Sequence, residues 1–131
     1  MLTTDLARRL RDEVAVLWHP AAGDRFVIDA ELLSDDVFWI SDLTVEPQTF
    51  GDVTVLGFNG TTEWALDSVD LDQALWLPRE DQLRALLGDR FESLSRADTG
   101  WEVRYAAEPG TRHTVTDADV ECAYALALLS L

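Results

Sequence analysis

The chain has 131 residues, 47% of them hydrophobic, and carries 25 acids against 10 bases for a net charge of −15. That length suits one domain, 1–131, with enough apolar content to build a core without metal or disulfide support. The charge argues against nucleic-acid and anionic-membrane binding, and the single cysteine, Cys122, excludes an internal disulfide framework.

The opening MLTTDLARRLRDEV lacks the apolar stretch of a secretory signal, and no apolar run is long enough to span a bilayer, so a cytoplasmic location is expected. Thr3 or Thr4 can cap a first helix in which Leu6, Leu10, Val14 and Leu17 recur at helical spacing. His19-Pro20 is the expected end, because a residue before proline resists the helical region. The intervening Arg8, Arg9 and Arg11 are expected to pair with Asp5, Asp12 and Glu13.

After a loop at 21–24, β-branched and aromatic residues predict strands at RFVID (25–29) and VFWIS (37–41). Leu43 to Phe50 can be another strand, with Pro47 demoting it to an edge or a bulge. Gly51-Asp52 is a turn signal, and VTVLGF (53–58) follows. Asn59-Gly60 between VTVLGF and TTEWAL (61–66) predicts a tight hairpin, since both turn residues tolerate positive φ. Asp67 to Asp72 reads as an acidic loop.

In WLPREDQLRALLGD (76–89), Pro78 suits a first helical position, Glu80 and Asp81 sit at the positive end of the dipole, and Leu83, Leu86 and Leu87 form the stripe to be buried. Gly88 suits the stop. FESLS (91–95) and WEVRYA (101–106) predict strands around a loop at Asp98-Thr99-Gly100, and Arg112 to Val115 predicts a further one. Thr116, with Asp119 three residues on, resembles a capping box before the last helix, VECAYALALLSL, which is apolar nearly all round. The expected class is α+β: a helix, an antiparallel meander of four to five strands, a helix, two or three strands, and a final helix packed on the sheet.

Reactive constellations are hard to find. His19 and His113 are the only histidines, no spacing matches a zinc site, and the acids from Asp70 onward fail the EF-hand pattern. There is no nucleophile elbow, P-loop or dinucleotide-binding glycine pattern. Cys122 lies in an alanine–leucine helix, where a lone cysteine is expected to be a small core residue. No catalytic residue, cofactor or metal is expected.

Charge placement is more informative. No base occurs between Arg25 and Arg79, whereas eleven acids do. Such a surface attracts basic partners and cations, or serves only as a solvated face that keeps the protein soluble. Five tryptophans accompany it, and tryptophan is enriched where proteins meet. The expected function is a non-catalytic interaction module for a basic protein partner, or for a second copy, through Glu63, Trp64, Asp67, Asp70 and Trp76. Burial of Trp64 and Trp76 as core filling is the competing expectation, and exposure of either is what an interface requires. Two alternatives are a small-ligand or enzymatic pocket between the sheet and the last helix, near His113 or Cys122, and mimicry of DNA by carboxylates.

GFNGTTEWALDS (57–68) and LWLPREDQLRALLGDRF (75–91), together with DRFVID (24–29) and ECAYALALLSL (121–131), resemble a family of small acidic actinobacterial proteins often described as pilus assembly proteins. The resemblance takes in most of the chain and supplies no catalytic residues to carry over. The chain has no lysine, so it carries no nucleotide-binding lysine of the kind found in pilus assembly ATPases. Its C-terminal half is also similar, more generically, to short phage and bacterial proteins.

Overall fold

A computed structural model describes residues 1–29, 36–40, 45–50, 53–58 and 68–131, with the backbone alone for 45–50, 53–58 and 68–71. The fold is α+β, and the chain divides into two compact units, Met1–Leu17 with Pro78–Leu131, and Trp18–Leu77.

The first unit opens with helix α1, Thr4–Arg9. Thr3 caps it by accepting the Leu6 N–H. One wider turn, Leu10–Val14, prolongs it and stops at Ala15, whose φ of 57° is left-handed. The helix thus ends short of the expected His19-Pro20, and Leu17 falls off the stripe, 77% exposed. The reason is local: the turn closes through Val16 N–H to Leu10 O at 3.3 Å, and a left-handed residue cannot continue a helix. The arginines pair as expected: Arg8 with Asp5, Arg9 with Glu13 and Arg11 with Asp12.

Helix α2 is Glu80–Leu87. Pro78 precedes it by two residues instead of opening it, because Arg79 holds the extended cap position, with its N–H donated to Gln82 Oε1 at 2.9 Å. Leu83 and Leu87 are buried at i,i+4 spacing, while Leu86 stands at the edge of the stripe, 39% exposed. Gly88 ends the helix with φ of 57°.

Strands β7 (Phe91–Ala97), β8 (Gly100–Glu108) and β9 (Thr111–Asp117) form an antiparallel meander in the order β7-β8-β9. Val103 and Tyr105 of β8 are buried on one face, as period-two alternation requires. Helix α3, Val120–Leu129, packs on β8 and β9 and against α1 and α2, which explains its apolar character all round. Its cap is Asp119, not Thr116. Thr116 is committed to the β9 ladder opposite Glu102, while the Asp119 carboxylate accepts the N–H groups of Glu121 and Cys122.

The second unit holds two antiparallel sheets among the described residues. One is ordered β3-β4-β5, from β3 (Val45–Phe50), β4 (Val53–Phe58) and β5 (Ser68–Asp70). Pro47 sits on β3, an edge strand, as its missing N–H predicts. The Asn59-Gly60 turn and TTEWAL lie outside the described residues.

The other sheet is ordered β2-β1-β6, from β1 (Arg25–Ile28), β2 (Val37–Trp39) and β6 (Ala74–Trp76). The stretch 67–72, expected to be an acidic loop, is therefore partly strand, with Ser68–Asp70 as β5, and Trp76, expected just ahead of the helix, belongs to β6 opposite Phe26. Nor is this sheet a simple meander, because β6 returns from far along the chain to lie beside β1. Its described core is Phe26, Ile28, Ile40 and Ala74, with Trp18 and Phe38 packed against it. Among the described residues, no helix is long and apolar enough to cross a membrane.

Candidate interaction surface

The division into units also divides the charge. Residues 18–77 hold twelve acids and one base, Arg25, a net of −11, while the remainder holds thirteen acids and nine arginines, a net of −4. In the first unit acids and arginines face one another in exposed pairs, such as Arg79 with Asp81 and Arg112 with Glu92. In the second unit the single base is 7% exposed. Residues 18–77 thus carry a large excess of acids, of which Asp29, Asp36 and Asp72 are exposed among the described residues.

Arg25 is held from several directions. Its Nε donates to Leu77 O at 3.0 Å, and its guanidinium carbon lies 5.9 Å from the centroid of the Trp39 ring. Beside it, the buried carboxylate of Asp24 accepts the Trp18 indole N–H at 2.9 Å and the Ala21 N–H at 3.1 Å. Those bonds close the loop before β1 and fix the Trp18 ring. Trp18 then stacks on Trp76, with centroids 6.2 Å apart and planes 4° off parallel, and tilts against Phe26 at 5.8 Å.

Of the residues anticipated from sequence, Trp76 is half-buried in this stack, and its indole N–H is buried without a hydrogen-bond partner among the described residues. Asp70 lies on β5 opposite Val55, in the other sheet of the same unit. Glu63, Trp64 and Asp67 lie outside the described residues. The described residue with the surface character sought is Trp39, 51% exposed on β2. A signal for it existed in VFWIS: Phe38 and Ile40 alternate inward, which turns Trp39 outward.

The residues considered for chemistry, Cys122 and His113, belong to the other unit. Cys122 is 4% exposed, with Sγ 4.0 Å from Met1 O, and burial raises its thiol above the usual range. A thiol of that kind is a weak nucleophile. His113 is exposed and lies against the Tyr105 ring at 5.8 Å. Around the start of α3, carboxylates serve backbone groups. Asp119 takes the Met1 amine, and Glu121 takes the N–H of Leu2 at 2.8 Å and of Glu80 at 3.2 Å, tying α2 to α3. Among the described residues no group of three or more potential ligands is placed to hold a metal ion.

No protein-family model matches the chain, and no curated protein or solved structure matches it either.

Proposed function

We propose that the chain is a non-catalytic interaction module that recognises a basic protein partner through the surface of residues 18–77. The observation that carries this reading is the burial of Arg25, the one base of that unit, beneath a tryptophan that is itself half exposed. A field of carboxylates without neighbouring cations speeds encounter with basic proteins, and an exposed indole supplies the apolar anchor that charge alone lacks. The same charge opposes self-association through this surface, since two copies would each bring a net of −11 to the contact.

Affinity capture from the native host tests it, with wild type beside a Trp39→Ala, Asp36→Arg double variant. Asp36 is an exposed acid at the start of β2. A basic protein retained by wild type, lost by the variant and released by salt supports the reading. Equal recovery of every partner by both chains removes it.

A further inference from the structure

The backbone of β2 carries a second property, independent of charge. In an antiparallel ladder, successive residues of a strand point their N–H and C=O groups alternately toward and away from a given neighbour. Here the directions can be read from bonds that flank the paired segments. Ile40 donates its N–H to Asp24 O at 2.8 Å, so Ile40 faces β1, and two residues earlier Phe38 faces β1 as well. On β1, Arg25 O accepts the Leu77 N–H at 2.9 Å and Asp29 N–H donates to Gln73 O at 2.7 Å, so Arg25 and Val27 face β6. The pairs Arg25↔Trp39 and Val27↔Val37 are therefore the non-bonded pairs of the ladder. It follows that Val37 and Trp39 aim their N–H and C=O groups away from the sheet, along its outer edge.

Natural sheets commonly guard such an edge with lysine, proline or a bulge. Val-Phe-Trp has none of these, and its pairing with β1 is in continuous register. What the sequence supplies around this edge is negative charge, with Asp36 exposed just before the strand and a net of −11 over residues 18–77, which favours a cationic strand over a second copy of this chain.

We propose that the outer edge of β2 binds an extended, arginine- or lysine-bearing segment of another protein by strand addition. This rests on the reading above and names its mode. The incoming strand bonds to the outward groups of Val37 and Trp39. Its basic side chains at alternate positions lie over the exposed Trp39 indole, on the face opposite Phe38 and Ile40. Main-chain bonds give the affinity in this mode, and the side chains at alternate positions give the selectivity.

The test uses a defined probe, an acetylated and amidated hexapeptide of alternating arginine and valine, with the glutamate–valine peptide as its control. Binding is followed by NMR on the full chain, with hydrogen exchange at Val37 and Trp39. Val37→Pro deletes one outward N–H while leaving the bonds to β1 intact, because that N–H is not in the ladder. A thermal melt of the variant confirms that it folds, and Trp39→Ala provides a second variant that changes no backbone group.

The expected result is binding of the arginine peptide alone, slowed exchange at Val37 and Trp39, and at least about tenfold weaker binding by Val37→Pro. Equal binding by wild type and Val37→Pro, still abolished by salt, overturns strand addition and leaves acidic recognition standing. Absence of binding by the arginine peptide, or equal binding of both peptides, overturns both.

Discussion

Gly100→Ala, compared with Gly110→Ala, isolates one packing decision in the first unit. Gly100 opens β8 and Gly110 lies in the turn after it, and both have positive φ, 145° for Gly100 and 81° for Gly110. Each alanine therefore incurs backbone strain, about 1–3 kcal/mol, partly offset by about 0.4–1 kcal/mol from a less flexible unfolded chain. The two differ in surroundings. A Cβ at Gly110 meets nothing within 4 Å, whereas one at Gly100 would stand 2.3 Å from Asp117 O and 2.5 Å from Ala118 Cα. Those atoms are backbone at the end of β9, just before the Asp119 cap of α3, so relief requires the β8–β9 pairing or the α3 start to shift. Overpacking of this kind adds about 1–3 kcal/mol. Gly100→Ala should then cost about 2–5 kcal/mol and Gly110→Ala about 1–2 kcal/mol. Urea unfolding followed by circular dichroism measures both, with a Tm shift of about 3–5 °C per kcal/mol as a cross-check. Equal losses at the two sites would refute the close approach of β8 to the end of β9.

Asp119→Ala removes the acceptor of two N–H groups at the start of α3 and should cost about 1–2 kcal/mol at neutral pH, with Asp119→Asn costing less because an oxygen acceptor remains. In the fold, burial works against the ionised Asp119, but the bond from the Met1 amine and those from Cys122 and Glu121 outweigh it and hold the carboxyl below its ordinary value. The charged cap's contribution is therefore complete above the unfolded value of about 4 and lost as pH falls through the lower native value, so wild type and Asp119→Ala should converge in acid denaturation series. Leu83→Ala, at a position 0% exposed, should cost about 2–5 kcal/mol, while Leu86→Ala nearby should stay within about 0.5 kcal/mol; similar losses in urea melts would mean the α2 stripe is misassigned. Cys122 should react with iodoacetamide at pH 8 roughly 100-fold more slowly in the native chain than in urea, since the thiolate is both disfavoured and enclosed. Comparable rates, read by mass spectrometry, would show the first unit opening at α3.

The amino-acid sequence by itself determined the α+β class, the presence of the three helices though not where the first one ends, and the strands whose residues carry strong local preference. RFVI, VFW, VTVLGF and the β7–β9 meander are legible because β-branched and aromatic residues alternate over short runs. Pro47 at a sheet edge and the apolar wrap of α3 were legible for the same local reasons, and so was the absence of bases between Arg25 and Arg79. Tertiary structure alone decided that Ser68–Asp70 and Ala74–Trp76 are strands: the acidic Ser68–Asp70 is held by its ladder to β4, and Ala74–Trp76 by a ladder to β1 across several intervening elements, and no local preference encodes either pairing. It alone moved the α3 cap from Thr116 to Asp119, since ladder bonds to β8 compete for Thr116. It alone set Glu121 to hold the N–H groups of Leu2 and Glu80, and turned the sole cation of residues 18–77 inward beneath Trp39. Counting charges along a chain gives their sum, but which of them reach solvent depends on contacts between residues that only folding brings together.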